Sequence, residues 1–96
     1  MSVSFHPGAE EDLLQAIAYY EQQEAGLGRD FAGEIAATIL QIQNHPKAWP
    51  LLEGDIRRCL VNRFPFGVLY SIEPEEVFVL AVMHLRRMPD FWKERA

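Results

Sequence analysis

The chain has one cysteine, Cys59, so it cannot close an internal disulfide. That scarcity argues against a disulfide-stapled secreted scaffold. It suits a reducing, cytoplasmic setting, with Cys59 read as a small core residue. Long apolar runs are also missing. The longest, Val77 to Met83, falls far short of the roughly 18 residues that would suggest a membrane span. The N-terminus has no basic stretch followed by an apolar one, so it does not read as a signal peptide. His6, His45 and His84 lack ligand spacing and have no second cysteine to join, so neither a metal nor a cofactor is expected. A Gly-rich phosphate loop, a serine elbow and a close carboxylate pair are likewise missing. Basic residues are nearly absent from residues 1–46, where Arg29 alone faces seven acids. Residues 47–96 hold eight bases against seven acids, and the whole chain carries −5. Either the first half is simply an acidic helical face, or the basic groups of the second half collect around a site.

What the chain does have is enough apolar content, 49%, for a real core in one domain over residues 1–96. A chain of this size buries only about 60–65% of its extended surface, so its stability margin is thin. Val3-Ser4-Phe5 alternates and reads as a first strand, ended by Pro7-Gly8. A helical pattern follows to about Glu24. Leu13, Ile17 and Tyr20 share a stripe with Ala9 and Ala16, and Glu10, Glu11 and Asp12 suit the positive end of the helix dipole. Gly26 and Gly28 break it. A second helix is expected from Asp30 to Asn44, with Phe31, Ile35, Ile39 and Ile42 inward, antiparallel to the first and stopped by His45-Pro46.

Residues 47–54 read as a loop pinned to the core by Trp49, Leu51 and Leu52. Three strands follow, Ile56–Val61, Phe66–Ile72 and Val77–Met83, joined as a meander. The last is apolar at consecutive positions, so both its faces should be covered, with the helical hairpin on one side. A short helix is expected from Pro89 to Arg95. The expected class is α+β: a helical hairpin on a mostly antiparallel four-stranded sheet in the order β-α-α-β-β-β.

The chemistry gathers at the C-terminal end, where a rigid strand delivers His84, Arg86 and Arg87, then Phe91, Trp92 and Arg95. Guanidinium forks match phosphate or carboxylate oxygens. Arg57 and Arg58 alternate on a strand, so they face opposite sides, and Arg63 follows at its end. They are either solvated strand arginines or members of an anion cluster with Arg86 or Arg87. His84 is either a hydrogen-bonded strand-end residue or a proton-transfer group. Phe91 and Trp92 either stack on bases or clamp the terminal segment to the sheet. In the bracing alternative, Arg87 and Arg95 hold the terminal helix through Asp90 and Glu94.

The order Tyr19-Tyr20-Glu21, Gly26-Leu27-Gly28, Phe31, His45-Pro46, Trp49-Pro50 and Ile56-Arg57-Arg58 resembles the RelE/ParE superfamily of bacterial toxins. Arg63 to Ile72 is similar to that family's central strand. His84, Arg87, Pro89, Trp92 and Arg95 match its His-x-x-Arg-x-Pro-x-x-Trp-x-x-Arg tail. The resemblance spans essentially the whole chain. It implies the toxin of a type II toxin–antitoxin pair, of the kind called plasmid stabilisation proteins, with the first strand beside the last. It also implies a cognate antitoxin encoded alongside, in a heterotetramer or larger complex. The target it implies is DNA gyrase for ParE-like members, or messenger RNA on the ribosome for RelE-like endoribonucleases. In the nuclease case Arg86, Arg87, Arg63 and His84 are the catalytic candidates. Otherwise Arg57, Arg58, Phe91, Trp92 and Arg95 are partner- or target-binding candidates. The chain departs from the nuclease pattern in three places. Gly67 stands where an arginine is usual, Phe91 or Trp92 replaces a C-terminal tyrosine, and Lys47 is alone in its loop. These departures favour the ParE-like side. An apolar groove between helices and sheet is expected to receive the antitoxin by helix-in-groove or strand-addition binding.

Overall fold

The computed structural model describes residues 1–87 and 90–96. The first strand, β1 (Ser2–Phe5), leads into helices α1 (Pro7–Gln23) and α2 (Leu27–Asn44). Four strands follow: β2 (Leu51–Glu53), β3 (Ile56–Leu60), β4 (Phe66–Ile72) and β5 (Glu76–His84), and a 3-10 turn closes the chain at Lys93–Arg95. The fold is α+β, as the patterning predicts, with two helices on one face of a mixed sheet ordered β1-β5-β4-β3-β2. β1 pairs parallel to β5, and β2 to β5 form an antiparallel meander. The first strand therefore does lie beside the last.

The sheet has five strands rather than four. Residues 51–53, expected as loop, pair with β3 as a short edge strand. Backbone hydrogen bonding holds this segment, not side-chain burial: Leu51 is 56% and Leu52 39% exposed, and only Trp49 packs on the core. The periodicity of a three-residue strand is too short to register in a sequence.

Both helices begin earlier than the patterning predicts, and each early start has a local cause. Pro7 and Gly8 do not end the strand but open α1. Proline's fixed φ suits a first helical position, and His6 Nδ1 accepts the Gly8 N–H at 2.9 Å as the cap. α2 starts at Leu27 because the Glu21 carboxylate accepts the backbone N–H groups of Gly26 and Gly28, at 3.0–3.1 Å. That places a negative charge where orphan amides and the helix dipole favour it. Gly26 has φ 89, open to glycine without strain. A Cβ at Gly28 would lie 2.7 Å from the Ile17 carbonyl oxygen, so glycine is what lets the hairpin close.

The core splits into two layers across the sheet. On the helical side Phe31, Ile35 and Ile42 meet Cys59, Val68, Tyr70, Val77, Val79 and Val82. On the other side Ile56, Leu69, Leu80, Ala81 and Met83 meet Trp92. β5 is thus covered on both faces, as its unbroken apolar run predicts. A bulge makes this possible: Leu69 pairs with Ala81 and Tyr70 with Val79, leaving Leu80 as the extra residue. The bulge shifts the phase of β5, so Val79 and Val82 share the helical face although they are an odd three positions apart. Tyr70, fully buried, donates its hydroxyl to the Pro46 carbonyl at 2.6 Å and ties the α2–β2 connection to the sheet. Burial pushes the Tyr70 phenol up to about 12 and the Cys59 thiol up to about 11.

The terminal helix is shorter than expected, a single 3-10 turn. Pro89, its expected first residue, lies outside the described residues. No helix among the described residues is long and apolar enough to cross a membrane.

Candidate functional site

At the bulge in β5 the strand presents the Val82 N–H to the helical face, where α1 supplies an acceptor. Asp12, buried, takes that N–H on Oδ2 at 3.1 Å. The same carboxylate receives Arg95 in a paired fork, Nη1 to Oδ2 at 2.7 Å and Nη2 to Oδ1 at 3.1 Å. Arg95 also donates to the Leu80 carbonyl at 3.1 Å. Arg87 Nη1 stands 3.6 Å from Oδ1. One carboxylate therefore gathers α1, β5 and the terminal turn. Gly8 leaves room for this, since a Cβ there would lie 2.6 Å from the Arg95 guanidinium. Arg87 and Arg95 do brace the terminal segment, but through Asp12 and not through Asp90 and Glu94. Asp90 pairs with Lys93 instead. The sequence marks Asp12 only as an acid suited to a helix N-terminus. Its position among the buried residues of α1, beside Ala9 and Ala16, is the signal that it faces the sheet.

Between α1 and the end of β5 runs a groove of about 410 Å³, lined by Gln15, Tyr19, Tyr20, Phe66, His84 and Arg87 among others. Tyr20 packs in a ring cluster with Phe31, Phe64 and Phe66, at centroid distances of 4.8–6.1 Å. Burial, and then the neighbouring Tyr19, raises its phenol. Tyr19 itself is exposed. His84 stands edge-on to Phe66 at 5.1 Å, and its Nδ1 accepts the Arg86 N–H at 3.0 Å. That bond leaves Nε2 as the protonated nitrogen of a neutral ring.

The remaining cationic candidates are scattered. Arg57 is on the helical face and donates to the Trp49 carbonyl at 2.6 Å and the Lys47 carbonyl at 3.3 Å. Arg58 is on the opposite face, its stem lying over Gly67, so the two do point to opposite sides. A Cβ at Gly67 would lie 3.1 Å from Arg58 Cγ and Cδ, so the stem occupies space that a side chain there would need. Arg63, at φ 71, faces Asp30 and Glu34 on α2 at 3.5 and 3.8 Å. Arg86 is exposed and has no ion pair among the described residues. Phe91 is half-buried under Arg87, whose guanidinium carbon is 3.9 Å from the ring centroid. Trp92 is 3% exposed, a clamp in the layer beneath the sheet. Its indole N–H has no hydrogen-bond partner among the described residues. The fold thus brings His84 and Arg87 to one groove and Arg87 and Arg95 to one carboxylate. It separates Arg57, Arg58 and Arg63 from them and from one another. Among the described residues no three His, Cys, Asp or Glu side chains stand close enough to hold a metal ion.

The sequence model of one family, described as ParE toxin of type II toxin-antitoxin system, parDE, matches residues 3–89. A solved structure described as the chromosomal ParDE TA system from P. aeruginosa is similar in fold. Its TM-score is 0.65 at 15% identity, covering 90% of this chain and 97% of the other. No curated protein matches by sequence.

Proposed function

The chain belongs to the ParE toxin family of type II toxin–antitoxin systems, and from that membership we propose that its 96 residues form one toxin domain that acts in the cytoplasm by binding, with DNA gyrase as its target and a cognate antitoxin as its inhibitor. The observation that carries this reading is the dispersal of the cationic side chains. Nucleic-acid cleavage needs several groups converging within about 3 Å of the reacting atoms. Here Arg63 is turned to α2, Arg87 and Arg95 to Asp12, and Arg57 to loop carbonyls. His84 has Nδ1 committed to a backbone amide. Where nuclease-like relatives carry an arginine on the central strand, Gly67 lies under the Arg58 stem. Such an arrangement suits recognition of a protein surface better than chemistry on a phosphodiester.

The antitoxin is proposed to cover the groove between α1 and β5. That groove joins an aromatic floor to the exposed Tyr19 and to Arg87. The outer edge of β1 offers unpaired backbone groups for an added strand. Induced expression tests the target. Growth arrest with DNA-damage signalling and intact transcripts is expected, together with inhibition of gyrase supercoiling by the purified chain. Cleaved transcripts would instead assign a ribosome-dependent endoribonuclease using Arg86, Arg87, Arg63 and His84. Absence of arrest would leave a member that only binds its partner.

A further inference from the structure

We propose that the cleft on the helix-free face of the sheet is a docking site for an acidic, leucine-bearing segment of a protein partner. The cleft, of about 240 Å³, is lined by Leu52, Arg58, Met83, Trp92 and Lys93, with Glu53 and Asp90 on its rim. Those two acids are both tied to Lys93, at 3.2 Å each. Arg58 is therefore the cation left over, with no carboxylate partner among the described residues in a chain whose net charge is −5. Beside it the sheet is bare. Leu60, 56% exposed, pairs across the strands with Gly67, and Leu85, 41% exposed, reaches over the same glycine. Arg86 follows, exposed and unpaired among the described residues.

These features select one chemistry. Carboxylates match the forks of Arg58 and Arg86, and apolar side chains cover the exposed Leu60 and Leu85. Nucleic acid fits less well. The leucines offer no stacking platform, and Trp92 is already packed. The inference rests on the reading that the chain acts by binding. It concerns a different face from the α1 groove.

A fluorescein-labelled 12-residue peptide of alternating glutamate and leucine is the probe, titrated against full-length Trp49→Phe protein so that Trp92 is the only tryptophan. Saturable binding with a change in Trp92 emission, weakened by salt, is expected. Arg58→Gln keeps the stem over Gly67 without the charge and should raise Kd at least tenfold, while melting within a few degrees of the parent. Leu85→Ser should raise it severalfold. The cleft is overturned by an unsaturated titration, by affinity indifferent to Arg58→Gln, or by tighter binding of a 12-nucleotide oligouridylate. Self-association abolished by Arg58→Gln would also overturn it, assigning the face to a second copy. Gyrase supercoiling, run on the same samples, keeps the two readings apart. Inhibition without peptide binding sinks the cleft alone, and peptide binding with gyrase untouched upholds the cleft and sinks only the target.

Discussion

Asp12 sets the energetic scale of single side chains in this fold. It is buried, and it accepts a strand amide and a paired arginine fork. Asp12→Ala removes the acceptor from Val82 and leaves Arg95, itself largely covered, without its counter-charge. A loss of about 3–5 kcal/mol is expected, read from urea unfolding, because breaking one side of a buried pair strands the other. Arg86→Ala, whose side chain has no ion pair among the described residues, should change stability by less than about 0.5 kcal/mol. Alkaline pH tests two other side chains. Tyr70 is raised from 10.0 to about 12 and Cys59 from 9.0 to about 11, both chiefly by burial. In each case the folded state holds its proton more tightly than the unfolded chain. The resulting stability is complete below pH 9, begins to fall as the unfolded groups ionise, and is gone once pH has risen through the folded values. A rise of that size corresponds to roughly 2–3 kcal/mol for each group. Equilibrium unfolding between pH 8 and 12 should show that decline, and a flat profile would rule it out.

Among the elements, the helical hairpin depends on one carboxylate and one glycine. Glu21→Ala removes the acceptor of two backbone N–H groups at the start of α2, Gly26 and Gly28, and should cost about 1–2 kcal/mol by thermal melting. Gly28→Ala should cost more, because the added Cβ meets the Ile17 carbonyl at 2.7 Å and the two helices must part. The element order is legible in the residues alone, since the apolar period changes from helical to alternating after Pro46. Three details are not. β2 is too short to show alternation. The bulge is hidden because the run Val77–Met83 is apolar on every residue, so a phase shift leaves no trace. The early start of α2 depends on Glu21, which lies on the previous helix and is invisible to a local reading. Leu51 and Leu52 illustrate the same point from the other side. Leucines in a loop read as anchors, yet edge-strand hydrogen bonds hold the backbone and leave the side chains in water.

For the whole molecule, the uneven charge seen in the sequence does not become a single cationic centre. The fold commits most of the arginines to bracing, and only tertiary contacts reveal which ones. The resemblance to the family lies in the order of motifs along the whole chain, the tail among them, but Asp12, the residue that organises that tail, carried no signal of its own beyond its place on a helix stripe. Replacing Arg86 and Arg87 together with alanine should abolish growth arrest while lowering the unfolding free energy by only about 1–2 kcal/mol. The Arg87 ion pair is half-exposed, and its stacking on Phe91 is worth about 1 kcal/mol. Full toxicity in that variant would remove both residues from the site. The parallel pairing of β1 with β5 has a temporal consequence. Ser4 and Glu76 are joined by a hydrogen bond across 72 positions of sequence, and Asp12 and Arg95 across 83. During synthesis at about 5–20 residues per second, β1 waits roughly 4–14 s for its partner strand to be made. The helical hairpin can form in that interval, but the sheet edge and the Asp12 junction cannot. The nascent chain is thus held short of its finished surface until β5 and the terminal turn have been made, and a potential poison takes its active shape only at that point.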